Sequence, residues 1–257
     1  MTYCLGLLLE KGLVLASDSR TNAGVDAIAT VCKMTIFEQP GRSVAVLLAA
    51  GNLSLTQSAV SVIEEWAEGD DDALNIKKAR SLYRVARIVG AALREVYKVD
   101  NEHLANHGTD FNATFILGGQ IKGERPRLFH IYSPGNFIEA TQDTPFFQIG
   151  ETKYGRPVFD RLLQFDMPLS EAAKLALISF DSTMRSNLSV ALPIDMAVYE
   201  TDKLELGYQH RFGADDSYMQ HVRRYWGGGL RKIFDELDPP SLSTKSPAPR
   251  KRAKPLK

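Results

Sequence analysis

Cysteine is scarce in this sequence, whose 257 residues include only Cys4 and Cys32. Two cysteines cannot form the disulfide framework of a small secreted protein, and such scarcity is typical of a reducing compartment. The apolar segment 1–16 has no basic residue before its apolar run and is interrupted by Glu10 and Lys11, which does not fit a secretory signal peptide. We therefore expect a cytoplasmic protein.

Long hydrophobic runs are also missing. No apolar run approaches the roughly 18 residues that a membrane-spanning helix needs, so we expect no contact with a membrane. Hydrophobic residues make up 44% of the chain and charged residues 24%, which is typical of a folded globular protein. We predict a single globular domain over residues 1–238.

Net charge is absent as well, because 31 Lys and Arg balance 31 Asp and Glu. The balance hides an asymmetry: the acids end at Asp238, and six bases follow it. Residues 239–257 are rich in proline and serine and hold few apolar side chains, so we predict a basic, disordered tail. Such a tail can contact nucleic acid or an acidic partner, although most tails of this kind are solvated chain ends.

The apolar pattern predicts segregated blocks of strands and helices. The predicted strands are 3–9, 13–17, 29–37, 44–50, 111–117, 127–132, 137–140 and 194–199. Gly118–Gly119, predicted as a hairpin bend, and Lys122-Gly123-Glu124 separate the fifth strand from the sixth. The predicted helices are 55–66, 82–97, 152–164, 170–184 and one within 217–237. Segregated blocks favour an α+β protein over a parallel βαβ sheet. We predict a four-layer αββα sandwich, in which two antiparallel sheets face each other with helices outside.

The first two residues carry the main chemical signal. Met1 precedes Thr2, and a small second residue allows an aminopeptidase to remove the initiator methionine. Thr2 would then bear a hydroxyl and a free α-amine, whose ordinary pKa of about 7.7–8.0 leaves part of it able to accept a proton near neutral pH. One residue would thus supply both nucleophile and base. Many ordinary proteins also begin Met-Thr, so neighbouring residues must support the interpretation.

Two charged residues give that support. The apolar segment 3–9 is expected to hold Thr2 at the end of a buried strand, and the returning strand of the hairpin ends at Asp18. Lys33 is a lone cation in the apolar segment 31–36, where it lies either on a solvated sheet face or buried against an acid. A buried cation needs a partner, and Asp18 is the natural one.

Taken together, these residues resemble a proteasome β-type subunit and, more narrowly, the Anbu (ancestral beta subunit) family of bacterial proteasome-related peptidases. The resemblance covers nearly all of residues 2–237. Its motifs are Thr2, the Ala-Ser-Asp-Ser-Arg segment at 16–20, Lys33, Ala49-Ala50-Gly51, Leu117-Gly118-Gly119, Pro126-Arg127-Leu128-Phe129 and Ile149-Gly150. The family implies an N-terminal-nucleophile hydrolase with an αββα sandwich. It also implies a ring or spiral of identical subunits that acts on peptides or unfolded proteins.

The resemblance assigns a role to each matching residue. The Thr2 hydroxyl matches the nucleophile, and Lys33 matches the lysine whose charge lowers the pKa of the nucleophilic system and helps to relay the proton. Asp18 matches the carboxylate that orients this lysine. The backbone N–H of Gly51 matches the donor that stabilises the oxyanion. Ser189 stands for the family serine near the terminal amine.

The chain departs from the proteasome pattern in two places. Proteasome β subunits have Gly-Ser-Gly before the third helix, where this chain has Gly150-Glu151-Thr152. They have Asp-x-x-Ser-Gly after the fourth helix, where this chain has segment 186–189 with Ser186 or Asn187 in place of the aspartate. Glu151 is a candidate replacement carboxylate. We therefore expect weak or narrow peptidase activity.

Other motifs give weaker signals. His103 and His107 stand four residues apart, but their pattern is not the His-Glu-x-x-His of zinc hydrolases, so we predict no metal and no other cofactor. A basic stripe lies on the second helix, opposite its apolar stripe. Nucleic-acid binding is not expected, because no aromatic residues are interleaved for stacking. The residues of that stripe are Lys77, Arg80, Arg84, Arg87 and Arg94.

Two alternatives to a peptidase stay open. One is a non-catalytic or weakly active proteasome-like scaffold subunit, favoured by the missing aspartate near Ser186. The other is an amidase for small substrates with the same N-terminal nucleophile. The sequence specifies neither the residue preferred before the cleaved bond nor an ATPase partner, since segment 255–257 carries no clear docking signal.

Overall fold

The computed structural model describes residues 2–23, 27–108 and 110–242. Met1 and most of the predicted tail, residues 243–257, lie outside the described residues. The strands are β1 Tyr3–Leu9, β2 Gly12–Asp18, β3 Arg20–Ala23, β4 Ala27–Thr30, β5 Met34–Gln39, β6 Ser43–Gly51, β7 Ala113–Ile121, β8 Arg127–Ile131, β9 Phe137–Glu139, β10 Phe146–Gly150, β11 Ile194–Glu200 and β12 Tyr208–Phe212. The helices are α1 Leu53–Glu68, α2 Leu82–Asn106, α3 Arg156–Leu162, α4 Leu169–Ser186 and α5 Ser217–Glu236, with a short 3₁₀ helix at Ile76–Lys78.

The strands form antiparallel sheets, so the protein is α+β as predicted. The first five-stranded sheet, called sheet I here, has the order β10-β1-β2-β11-β12, and sheet II has the order β5-β6-β7-β8-β9. Strands β3 and β4 pair as a separate two-stranded ribbon. None of the described helices is both long enough and apolar enough to cross a membrane.

Strand β1 is buried along its whole length because both of its faces are covered. Alternate side chains point to opposite faces of a strand. Leu5 and Leu7 pack in a cluster with α3, α4 and α5, whereas Cys4 packs in a second cluster that joins sheet I to Val46 and Ile116 of sheet II. This double burial explains the uninterrupted apolar run at 3–9.

The outer face of sheet II packs against α1 and α2. Phe115 of β7 belongs to the same buried cluster as Ile63 of α1 and Val89 of α2. This cluster thus accounts for the apolar stripes that the sequence predicts for α1 and α2. Burial of each large apolar side chain contributes about 1.5–3 kcal/mol.

The predicted hairpin bend at Gly118–Gly119 is wrong, because both glycines lie inside β7. The turn lies at Lys122–Gly123–Glu124, the other part of the predicted separation between these strands. A Cβ on Gly118 would lie 2.9 Å from Leu15 Cδ2 in sheet I, and one on Gly119 would lie 2.0 Å from the Val44 carbonyl oxygen. Close packing explains these glycines, and turn geometry does not.

Some predicted boundaries are also wrong. The single strand predicted over 29–37 is two strands, β4 and β5, because the chain leaves extended pairing around Lys33. The helix predicted over 152–164 spans only α3, Arg156–Leu162. The sequence analysis missed β3, β10 and β12. Of these, β10 pairs with β1 in the register Tyr3↔Gly150 and so reaches the N-terminus.

A carboxylate with three arginine contacts lies at the edge of sheet II. Arg127 donates from Nε to Glu139 Oε1 (2.9 Å) and from Nη2 to Oε2 (2.7 Å), and Arg125 Nη2 adds a 2.7 Å bond. The Arg127 hydrogen bonds hold the pKa of the Glu139 carboxyl below its ordinary value. The resulting stabilisation is present above the ordinary glutamate pKa of about 4.3 and is lost as the pH falls through the lower folded-state pKa.

Glu139→Gln is therefore expected to lower the free energy of unfolding by about 1 kcal/mol at pH 7 and by much less at pH 3. Urea unfolding at the two pH values measures both differences. Glu10→Gln, at an exposed carboxylate paired with Lys11, serves as the control and should change stability little at either pH. If Glu139→Gln lowered the free energy of unfolding equally at pH 3, the stabilisation would not come from the ionised Glu139 carboxylate.

Candidate active site

Thr2 is held from two sides at the start of β1. The Glu151 N–H donates to the Thr2 carbonyl oxygen at 2.8 Å, and the Tyr3 N–H donates to Asp18 Oδ1 at 2.9 Å. Gly150 has a φ of +82°, and a Cβ there would lie 1.9 Å from the Thr2 carbonyl oxygen. Only glycine allows β10 to approach Thr2 this closely.

Lys33 and Asp18 form a buried ion pair, as the sequence predicts. Lys33 Nζ lies 2.8 Å from Asp18 Oδ1 and also donates to the Arg20 carbonyl oxygen at 2.6 Å. Lys33 is 7% exposed and Asp18 is fully buried. Burial raises the pKa of the Asp18 carboxyl, and the Lys33 ammonium and the Tyr3 N–H oppose that rise.

The local backbone explains how two residues 15 positions apart meet. Asp18 ends β2, directly after Ser17, which pairs with Cys4 of β1. The chain then returns past β2, where the Val31 N–H donates to the Ser19 carbonyl oxygen at 2.8 Å. The Ala49 N–H donates to the Lys33 carbonyl oxygen at 2.9 Å. The break between β4 and β5 thus turns Lys33 inward, against Asp18.

Gly51 ends β6 and opens onto the same space as Thr2 and Lys33. These three residues line a cleft of about 1030 Å³, whose wall also includes Gln57 of α1. Gly51 has a φ of +114°, and a Cβ there would lie 2.3 Å from the Asn112 carbonyl oxygen. The backbone of this position therefore requires glycine.

Ser189 lies in the loop after α4, and the residues that line the cleft do not include it. Its N–H donates to Asn187 Oδ1 at 2.9 Å. Asn187 Nδ2 in turn donates to Glu151 Oε2 at 2.8 Å. Ser189 is thus connected to Thr2 through Asn187 and Glu151. Asp18 is not among the lining residues of the cleft either, but it contacts Lys33, which is one of them.

Three hydrogen bonds at the site were not predicted from the sequence. Arg20 accepts from Lys33 through its carbonyl and donates from Nη1 to the Leu188 carbonyl oxygen at 2.8 Å. The Asn112 carbonyl accepts from the Asn52 N–H at 2.7 Å beside Gly51. Backbone carbonyls leave no side-chain signal in a sequence, so only the fold reveals these contacts.

A hydroxyl, a buried ion pair and a glycine backbone thus meet at the end of β1. Cys4 lies behind them, with no exposed surface, and its Sγ donates to the Ala49 carbonyl oxygen at 3.4 Å, consistent with a packing role. In the described ranges there is no cluster of three or more His, Cys, Asp or Glu side chains arranged to hold a metal ion. His107 instead caps the end of α2.

Comparison with known proteins gives matches among solved structures, whereas no protein-family model and no curated protein matches this chain. The Anbu (Gly-1) mutant from Hyphomicrobium sp. strain MC1 is 52% identical, with a TM-score of 0.86, over 93% of this chain and 99% of that one. Anbu (ancestral beta-subunit) from Yersinia bercovieri is 48% identical, with a TM-score of 0.88, over 94% of this chain and 100% of that one.

A third structure describes the helical assembly of the Anbu complex from Pseudomonas aeruginosa. It is 46% identical to this chain, with a TM-score of 0.87, over 93% of this chain and 98% of that one. Identity at this level over almost the full length of both chains establishes common family membership. The chain therefore belongs to the Anbu (ancestral beta subunit) family, which is related to the proteasome.

Proposed function

We propose that this protein is a cytoplasmic threonine peptidase that uses Thr2 as an N-terminal nucleophile after Met1 has been removed. The observation that carries the proposal is the position of Thr2 at the end of a fully buried strand, lining one cleft with Lys33 and Gly51. The buried Asp18–Lys33 ion pair keeps a cation beside that cleft. Peptides or unfolded proteins are the proposed substrates.

In the proposed acylation step, Thr2 Oγ attacks the carbonyl carbon of the peptide bond. The hydroxyl proton passes to the free α-amine, whose ordinary pKa is about 7.7–8.0, and the Lys33 ammonium stabilises the charge that develops. Asp18 orients Lys33 through the 2.8 Å contact. Positioned proton transfer of this kind typically contributes about 10²–10⁴-fold in rate.

The Gly51 N–H is the proposed donor to the oxyanion of the tetrahedral intermediate, which is worth about 10²–10³-fold. The intermediate collapses when the peptide nitrogen takes a proton and leaves, so that an ester joins the substrate acyl group to Thr2. Water then attacks this ester, and the free threonine hydroxyl is restored.

The proposal extends to the architecture. The three apolar clusters support a four-layer αββα sandwich formed by one domain: α1 and α2, sheet II, sheet I, then α3 to α5. The helical assembly of the Pseudomonas aeruginosa Anbu complex supports assembly of this chain into a ring or spiral of identical subunits.

Intact mass before and after treatment with a peptide epoxyketone tests the mechanism. This reagent forms a stable double adduct only with a residue that bears both a hydroxyl and a free α-amine. We expect the purified protein to lack Met1 and to gain one adduct per chain, and we expect Thr2→Ala to gain none. Met1 retained in fresh protein, or equal labelling of Thr2→Ala, would refute the threonine mechanism.

The non-catalytic scaffold is the second candidate. The observation that favours it is the missing aspartate, since Ser186 or Asn187 stands where the proteasome pattern has that residue. It predicts no epoxyketone adduct at any pH while the assembly persists. An adduct together with hydrolysis of short amides but not of peptides would instead favour a small-substrate amidase.

A further inference from the structure

A network of hydrogen bonds surrounds Thr2. From the Thr2 carbonyl it runs through the Glu151 N–H, the Glu151 carboxylate and Asn187 to the loop after α4. In that loop the Leu188 carbonyl accepts from Arg20, whose own carbonyl accepts from Lys33. Lys33 donates to Asp18, which also accepts from the Tyr3 N–H. Glu151 and Lys33 therefore belong to different branches of the same hydrogen-bond network around Thr2.

The Glu151 carboxylate is buried with neutral donors. Glu151 is 6% exposed, its Oε2 accepts from Asn187 Nδ2 at 2.8 Å, and its Oε1 accepts from the Lys153 N–H at 3.4 Å. Within the described part of the chain, no Lys, Arg or His side-chain nitrogen lies within the 4.0 Å of an ion pair with it. A buried carboxylate is costly unless a cation or strong donors offset its desolvation.

The charges around this position come from four segments of the chain. Asp18 at the end of β2 pairs with Lys33 before β5, and the positive charge of the chain terminus also opposes the rise in the pKa of the Asp18 carboxyl. The Arg20 guanidinium of β3 donates to the Leu188 carbonyl, and the Lys153 side chain is exposed. Glu151 is thus the carboxylate of this neighbourhood that has no described counter-ion, and its own backbone N–H is bonded to Thr2.

We propose that Glu151 is a positioning residue for the nucleophile, and that its carboxylate is the counter-ion of the α-ammonium that removal of Met1 creates on Thr2. This inference rests on the proposed function for its role in catalysis, but the ion pair itself does not require turnover. Asn187 Nδ2 donates to one oxygen of this carboxylate and so competes with the amine for its charge. Glu151 sets the pH at which the amine becomes a free base, and Lys33 supplies the opposing positive charge.

Titration of the α-amine tests the proposal without any catalysis. The full chain is released from a cleavable N-terminal fusion so that it begins at Thr2. It is then treated with trace acetic anhydride across pH 5–10, and mass spectrometry of the N-terminal peptide gives the fraction acetylated. An opposite charge at close range raises an amine pKa by at least about 1 pH unit, so Glu151→Gln is expected to lower the amine pKa by about that much.

A second variant is expected to act in the opposite direction. Asn187→Ala removes the donor that competes for the Glu151 carboxylate but leaves its charge, so the amine pKa should rise above that of the wild-type protein. Glu139→Gln is the matched control, because it removes a carboxylate at the far edge of sheet II and should leave the amine pKa unchanged. Thermal unfolding of each variant checks that it is folded.

The epoxyketone reaction gives the second readout. In Glu151→Gln, the pH at which the acylation rate rises is expected to fall by the same amount as the amine pKa. The plateau rate is expected to fall about 10- to 100-fold through loss of alignment. An amine pKa that Glu151→Gln leaves unchanged, or that Asn187→Ala lowers, would overturn the proposal. A shifted amine pKa in a protein that never reacts with epoxyketone would uphold the ion pair and refute only the peptidase function.

Discussion

Lys33→Met is expected to lower the free energy of unfolding by about 3–5 kcal/mol, because it leaves the Asp18 carboxylate buried without its cation. Asp18 is fully buried, and Lys33 is its only ion-pair partner among the residues that the structure describes. The same change should slow epoxyketone acylation by about 10²–10⁴-fold. Urea unfolding at pH 7 and the adduct rate by mass spectrometry measure the two effects.

The double variant Asp18→Asn with Lys33→Met separates the two effects. Removing both charges leaves no buried ion, and the asparagine oxygen can still accept from the Tyr3 N–H, so most of the lost stability should return. The acylation rate should stay low. Lys77→Met, at an exposed pair with Glu68, is the control and should change stability little. If Lys33→Met were as stable as this control, the buried Asp18–Lys33 ion pair would not contribute to stability as proposed.

Gly150→Ala is expected to disturb the nucleophile itself. The new Cβ would meet the Thr2 carbonyl oxygen at 1.9 Å, in a residue whose φ of +82° already disfavours a side chain. Left-handed backbone costs about 1–2 kcal/mol and overpacking about 1–3 kcal/mol, so the free energy of unfolding should fall by about 2–5 kcal/mol. Because Thr2 must move, acylation should slow by about 10²-fold or more.

Gly123→Ala is the matched control for backbone strain. Gly123 has a φ of +88°, and its Cβ would meet nothing within 4 Å. This variant should lose about 1–2 kcal/mol of stability and keep the wild-type acylation rate. Equal acylation rates in Gly150→Ala and Gly123→Ala would show that the contact between β10 and Thr2 does not align the nucleophile.

The sequence predicts the elements that depend on local apolar pattern. Strand β1 was predicted to the residue and β2 within one residue at each end, because an apolar run on either side of a polar turn is a strong local signal. The break near Lys33 could not be predicted in this way. It depends on a buried ion pair with Asp18, and an apolar pattern does not show where the chain must turn to form one.

Non-local pairing explains the other failures. Strand β10 has only five residues, and its place in sheet I depends on pairing with β1, which lies about 140 residues earlier. Strand β12 is an edge strand with mostly exposed side chains, so it lacks the apolar alternation of a strand. The contact between Glu151 and Asn187 follows from β10 and the end of α4 meeting, and no local pattern of either segment reveals it.

The site residues show the same contrast between local sequence signals and non-local contacts. Asp18, Lys33 and Gly51 lie in or beside predicted strands, so their approach to Thr2 could be expected from the hairpins. Ser189 was expected beside the terminal amine, which stays a prediction; the described contacts link it to Thr2 through Asn187 and Glu151. The sequence identifies Glu151 as a candidate carboxylate, but the burial of its side chain requires the fold.

The pairing of β1 with β10 has a consequence for the timing of synthesis. The first residues of the chain cannot be enclosed in sheet I until residue 150 has left the ribosome, which at about 5–20 residues per second takes roughly 7–30 s. During that interval the N-terminus is open to the aminopeptidase that the proposed removal of Met1 requires. Once β10 docks, the Glu151 N–H is bonded to the Thr2 carbonyl oxygen, and Thr2 lines the cleft. The position of β10 in the sequence therefore sets the earliest time at which β1 can be enclosed within sheet I.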